Sequence, residues 1–295
     1  MDFGGGFRQI PAAKLPERGG GELRNTHQTD ATMFAETRDQ TRIAYDLSGN
    51  ANARHRIALT HSLAMDRSFW APVVERLSGE ASILTWDCRG HGHSDKPHQA
   101  YTAAQFADDL ADLFDHVGWQ DAVVAGASMG GCISLAFAGQ HPQRVRGLGL
   151  FDTTAWYGPD APAQWEDRAS KALTDGLEGL IAFQKTRWFG DAFRAANPAV
   201  VDHCIDVFLR NDIEAYAETC RMLGTADLRP HLAGIKAPTR VLVGEEDYAT
   251  PVAMAQALHA GITGSTLRIV KGARHLSPLE IPDDVSAELR ALMKG

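Results

Sequence analysis

Residues 122–139 form a charge-free, largely apolar run that holds a serine among glycines, in "GASMGG" (126–131). No other feature constrains the fold as much. The run approaches the length of about 20 residues that spans a bilayer. Gly126, Gly130, Gly131 and two serines fit a different reading. It is a buried strand over 122–128, a tight turn, and a buried helix over 129–140. A short strand with no polar alternation is covered on both faces, which is the habit of parallel sheets.

The flanking sequence continues this pattern. Strands are predicted over 41–49, 55–62, 82–88, 145–152, 239–247 and 265–275, and helices over 68–77, near 252–260 and over 280–293. A further helix follows Thr102, which with Gln105 can form a capping box. Phe106, Leu110, Leu113, Phe114 and Val117 form its apolar stripe, and Asp108, Asp109, Asp112 and Asp115 are expected largely on the other side. Strands alternating with helices imply a parallel α/β sheet covered on both faces. Residues 153–225 interrupt the rhythm with several aromatic residues, helical patterns and no clear strand. The expected organisation is one α/β core from 33–152 and 226–295, with a helical cap over 153–225. Residues 1–32 are Gly-rich and polar without an apolar block, so they read as a disordered extension and not a signal peptide, with Met33 a natural start for the folded part.

Charge and cysteines narrow the function. The 295-residue chain has a net charge of −8 and no Lys/Arg stripe, so neither nucleic acid nor an anionic membrane is an expected partner. Its four cysteines contain no C-x-x-C pair. That spacing supports neither a zinc site nor a disulfide framework, and suits buried reduced thiols in a cytoplasmic protein.

Gly126-Ala127-Ser128-Met129-Gly130 matches G-x-S-x-G, whose meaning depends on a strand before it and a helix after it. Both are predicted. At such an elbow the serine hydroxyl projects beyond the sheet edge, and the N–H of Met129 at the helix start can face a developing oxyanion. A serine needs a base, and the base needs a carboxylate to orient it. His275 directly follows a predicted strand, and Asp247 ends another, with Glu245, Glu246 and Asp152 as its rivals. The order Ser128, Asp247, His275 is the order Ser, Asp, His of this architecture. The second oxyanion donor is expected in the loop after the strand at 55–62, from the N–H of Leu63 beside Ser62, with Ser68 capping the helix that follows.

Five motifs, "HSLAMDRSFW", "DCRGHGHSDKP", "GASMGG", "GEEDYATP" and "RHLSPLEIP", occur in that order. From about residue 33 onward the chain resembles the α/β-hydrolase superfamily and, within it, the 3-oxoadipate enol-lactonases. "HSL", "RWFGDAF" and "AYAETCRMLGTADLRPHL" carry the closer likeness. The resemblance implies a mostly parallel eight-stranded sheet with helices on both faces, a helical cap insertion and no cofactor. It also implies hydrolysis of a small carboxylate-bearing enol-lactone. Carried over residue by residue, Ser128 is the nucleophile, Asp247 the acid and His275 the base, with Leu63 and Met129 supplying the oxyanion hole. Where relatives often have Asn-Ser-Leu-Gly this chain has His61-Ser62-Leu63-Ala64, and "FDTTAWYG" is unusually aromatic. Ser62, Trp156, Arg187 and Trp188 are the expected substrate contacts. The cap offers Arg168 and Arg187 as cations that can hold a carboxylate with two hydrogen bonds, and Arg187 is preferred because "TRWFG" sets it beside two aromatic residues. The same residues would serve a general carboxylesterase, a carbon–carbon bond hydrolase or a slow-turnover ligand receptor. Residue pattern leaves homo-oligomer formation open.

Overall fold

The computed structural model describes residues 32–294. The reading of residues 1–32 as an extension therefore lies, but for Thr32, outside the described residues. Eight strands form one sheet: β1 (Met33–Glu36), β2 (Arg42–Gly49), β3 (His55–Thr60), β4 (Ala81–Trp86), β5 (Ala122–Ala127), β6 (Val145–Phe151), β7 (Thr239–Gly244) and β8 (Thr266–Val270). Their order across the sheet is β1-β2-β4-β3-β5-β6-β7-β8. The pairings β1–β2 and β2–β4 are antiparallel and the others parallel. This is the expected mostly parallel sheet. The sequence reading lacked β1, a strand too short to give a periodic signal.

Helices α1 (Ala71–Leu77), α2 (Ala103–His116) and α3 (Met129–Gln140) connect the first strands. Between β6 and β7 the described chain is helical: α4 (Ala161–Asp175), α5 (Ile181–Trp188), α6 (Asp191–Ala196), α7 (Pro198–Leu209), α8 (Ile213–Thr225) and α9 (Arg229–Leu232). Helix α10 (Val252–Gly261) precedes β8, and α11 (Ser277–Glu280) and α12 (Pro282–Lys294) follow it. β4 and β5 are buried along their whole length, as strands covered on both faces must be.

Two local readings are corrected. Thr102 and Gln105 do form the capping box of α2. Asp109, however, lies on its inner side. The Asp109 carboxylate accepts Nε and Nη2 of the buried Arg89 at 2.7 and 2.6 Å. Periodicity could not supply this partner, which comes from the "RGHG" loop after β4. A carboxylate enters a core only when such a donor meets it. The 3-10 turn Arg67–Trp70 that leads into α1 is capped by Asp66 and not Ser68: the Asp66 side chain accepts the Ser68 N–H at 2.9 Å.

The loops after β3 and β4 meet through two buried imidazoles, His61 and His91, with ring centroids 5.1 Å apart. The Nε2 of His61 lies 3.0 Å from the Cys88 N–H, which can only donate. His61 is therefore the tautomer with its proton on Nδ1, and that N–H donates to the Ser62 carbonyl at 2.8 Å. Burial pushes His61 down to about 4 and His91 to about 3, so both rings are neutral at neutral pH. An unfolded imidazole titrates near about 6.5, so the unfolded chain binds more protons than the folded one below that pH. Stability is thus lost as pH falls from about 6.5 toward about 4. The thermal midpoint is expected to decline across that window, with a shallower slope in His91→Asn. A midpoint that stays flat would contradict the neutral buried pair.

Candidate active site

Ser128 occupies the step between β5 and α3 with φ +54° and ψ −119°. This is left-handed backbone, strained for a residue with a side chain, and it persists only where the surroundings over-determine it. Here the over-determination comes from glycine. A Cβ at Gly126 would strike the Gly130 carbonyl, and one at Gly130 would strike the Thr60 carbonyl of β3. Strand and helix can approach closely enough to hold the elbow only without those carbons. The Ser128 N–H donates to Phe151 of β6 at 2.9 Å, and Thr153 Oγ1 donates to the Ser128 carbonyl at 2.7 Å.

The structure brings together Ser128, at the end of β5, with Asp247 and His275 from the loops after β7 and β8; the strands expected to reach 247 and 275 stop at Gly244 and Val270. His275 Nε2 lies 2.8 Å from Ser128 Oγ, and His275 Nδ1 lies 2.8 Å from Asp247 Oδ2. A carboxylate only accepts, so the imidazole carries its proton on Nδ1 and offers a lone pair at Nε2 to the serine hydroxyl. Asp247 also accepts the Ala249 and Thr250 N–H groups at 2.8 and 2.9 Å and the Thr250 hydroxyl at 2.8 Å. Burial raises this carboxyl, but the neighbouring His275 and these hydrogen bonds outweigh it and hold Asp247 below its usual value.

The rival carboxylates do other things. Asp152, fully buried at φ +46°, accepts the Gly244 N–H at 3.1 Å and the Ser277 N–H and hydroxyl at 3.0 Å. It joins β7 to the segment after His275. Burial, and then the proximity of Asp247, push its carboxyl well above the usual range. Glu246 turns to Arg274 at 3.4 Å. Glu245 accepts a long bond from the Gly272 N–H at 3.4 Å.

The N–H groups of Leu63 and Met129 find no intramolecular acceptor among the described residues. The Ser62 carbonyl accepts from His61 Nδ1 at 2.8 Å and from the Met65 N–H at 3.1 Å. In a planar trans peptide, fixing that carbonyl inward directs the Leu63 N–H the opposite way, toward the cavity. His61 therefore orients this peptide, a role the sequence reading did not give it. Its signal was only an unusual His-Ser pair after β3.

A cavity of about 400 Å³ opens above Ser128. Of the expected contacts, Ser62, Leu63, Arg187 and Trp188 line it, beside Ser128 and His275. Met129 is buried, and its side chain does not reach the cavity. Trp156 does not line it either. Its N–H donates to Thr154 Oγ1, and its ring lies under the Arg229 guanidinium at 3.6 Å, so Tyr157 lines the cavity instead. Arg168, the other cation the sequence offered, also borders the cavity from α4, where it shares one face at helical spacing with Gln164 and Lys171, which sequence reasoning missed. Arg168 donates to the Tyr216 hydroxyl at 2.6 Å, and Arg187 sits over Phe183 at 4.1 Å. Neither forms an ion pair with a carboxylate among the described residues. Burial, and then the like charge of Arg168, hold Arg187 below its usual value. Among the described residues no cluster of three or more His, Cys, Asp or Glu side chains has the arrangement of a metal site.

Comparison with known proteins agrees with this geometry. The sequence profile of the α/β-hydrolase fold family matches residues 56–282. 3-Oxoadipate enol-lactonase 2 of Acinetobacter baylyi is 31% identical over 258 residues, which is 88% of this chain and 95% of that protein. The crystal structure of the enol-lactonase from Burkholderia xenovorans matches with a TM-score of 0.84 and 35% identity, covering 89% of this chain and 100% of that one. A thermophilic esterase from Thermogutta terrifontis, solved with malate bound, matches with a TM-score of 0.83 and 27% identity over 89% of this chain and 98% of its own. With eight strands in the order described and a profile match across most of its length, the chain belongs to the α/β-hydrolase fold family.

Proposed function

We propose that the protein is a serine hydrolase that opens a small carboxylate-bearing lactone or ester, of the 3-oxoadipate enol-lactone kind, through an acyl-Ser128 intermediate. The observation that carries the reading is the unbroken hydrogen-bond chain Ser128–His275–Asp247 beneath a cavity of about 400 Å³. The enol-lactonase names of the relatives support the same substrate class.

In this reading Ser128 Oγ attacks the acyl carbon while its proton passes to His275 Nε2. Asp247 keeps the imidazole in register and balances the charge it gains. The negative charge on the former carbonyl oxygen is met by the N–H groups of Leu63 and Met129, each such donor being worth about 3–4 kcal/mol. Collapse breaks the bond to the enol oxygen, which takes the proton from His275. Because the ring opens, both halves stay on Ser128 as one acyl chain. A water molecule then gives its proton to His275 and attacks the ester carbon. Ser128 leaves with that proton, and a free carboxylate is released.

Arg168 and Arg187 account for the substrate carboxylate. Half-buried cations without a carboxylate partner are costly unless a ligand supplies one. Turnover by Ser128→Ala is expected to fall at least a thousandfold on a panel of small lactones and short esters, with an unchanged melting temperature. A variant within tenfold of the wild type would remove Ser128 from the chemistry. Turnover by the wild type that stops after one equivalent would favour a slow receptor. Arg187→Met is expected to raise KM about tenfold or more for an anionic lactone, in line with a charge-assisted bond of about 1.5–3 kcal/mol, and to leave a neutral ester of similar size little affected. Equal losses on the two substrates would assign Arg187 to packing.

A further inference from the structure

Arg274 directly precedes His275, yet its side chain turns away from the reacting atoms. It is 8% exposed. One guanidinium nitrogen, Nη1, donates to the carbonyls of Thr186 and Phe189 at 2.8 and 3.1 Å. Thr186 lies in the last turn of α5 and Phe189 just beyond it, where carbonyls lack helical partners and the helix dipole is negative. The same nitrogen pairs with Asp191 at 3.0 Å, while Nη2 faces Glu246, the neighbour of Asp247, at 3.4 Å. The guanidinium also lies 5.2 Å from the Tyr248 ring.

Two further bonds tie the same segments. Glu280 accepts the Gly190 N–H on one oxygen and the Arg274 N–H on the other, each at 2.8 Å. The Leu276 N–H donates to the Trp188 carbonyl at 3.0 Å. The end of α5, which sets Arg187 and Trp188 against the cavity, is thus bonded on both sides of His275. A buried arginine at such a place costs desolvation that a surface ion pair does not, and its fork joins two separate segments, residues 186–191 and Glu246.

We propose that Arg274 is a positioning residue that clamps the α5 wall of the cavity onto the loop carrying His275, so that the side chains facing the bound substrate and the imidazole facing its carbonyl keep one fixed spacing. The proposal rests on the hydrolase reading above for its kinetic consequence, though not for the clamp itself. A small neutral ester needs only the Ser128–His275–Asp247 chain and the oxyanion donors. A substrate anchored on the α5 wall also needs the spacing.

The test uses the full chain, with Arg274→Met, Arg274→Lys and Asp191→Asn compared with the wild type. Amide hydrogen exchange at Gly190 and Leu276 is expected to speed up at least tenfold in Arg274→Met while the β5 amides are unchanged. Asp191→Asn, which removes the charge of the exposed partner that Arg274 shares with Arg194, should leave both amides as they are. The ratio of kcat/KM for mono-p-nitrophenyl succinate to that for p-nitrophenyl acetate is expected to fall at least tenfold in Arg274→Met. Arg274→Lys keeps the charge but not the fork, and should fall between on both measures, which also serves if the methionine variant does not fold. Unchanged exchange at Gly190 and Leu276 would overturn the clamp. Faster exchange with an unchanged ester ratio would overturn the positioning role. If the wild type turned over neither ester, the hydrolase reading would fail, and exchange at the two amides would still decide whether the clamp exists.

Discussion

The left-handed backbone of Ser128 is the constraint on which the rest of the site depends. A non-glycine residue at φ +54° costs on the order of 1–3 kcal/mol, and something must hold it there. β5 is hydrogen-bonded to β3 and β6, while α3 packs back against the same strands through Gly126 and Gly130. With both neighbours immobile, the turn between them has no relaxed alternative. The strain lifts the serine hydroxyl above the sheet edge and leaves the Met129 N–H at the first turn of α3. The same parallel topology delivers Asp247 and His275, because β7 and β8 end on that same edge. Strain at one residue and strand order across eight therefore produce one juxtaposition.

Electrostatics then separate the carboxylates that surround this edge. Asp247 and Asp152 both stand at strand ends and both are buried, but their partners differ. Asp247 meets an imidazole, two N–H groups and a hydroxyl, and stays ionised. Asp152 meets no cation among the described residues, and burial and then the proximity of Asp247 drive it toward its neutral form. Glu246 is drawn to Arg274, so it is not free to compete for His275. Across the cavity the balance reverses, with two arginines held by aromatic rings, a tyrosine hydroxyl and the Tyr248 carbonyl, and neither ion-paired with a carboxylate among the described residues.

Much of this was legible in the sequence, for an identifiable reason. Ser128 and Asp247 follow the apolar runs of β5 and β7, which reveal where parallel strands end, and His275 lies in the loop after β8. Glycines around the serine made the elbow readable as well. What stayed hidden depends on contacts between distant segments. Asp109 looked solvent-facing because its partner Arg89 lies twenty residues earlier in a loop. Trp156 looked like a cavity wall, but one hydrogen bond to Thr154 turns the chain so that Tyr157 takes that place. Gln164 and Lys171 share the helical spacing of Arg168, a signal that could have been used. Arg274 carried none, since nothing local distinguishes an arginine beside a histidine from a surface residue. β1 was missed because four residues are too few to show a period.

The proposed acylation of Ser128 during turnover can be caught by quenching the wild-type protein with acid during steady-state hydrolysis of a p-nitrophenyl ester and mapping the peptides by mass spectrometry. An acyl adduct is expected on the peptide that contains Ser128, increased when deacylation is slowed, and absent from His275→Ala because the hydroxyl then has no base. Product formation with no adduct on that peptide, or an adduct carried by another residue, would contradict it.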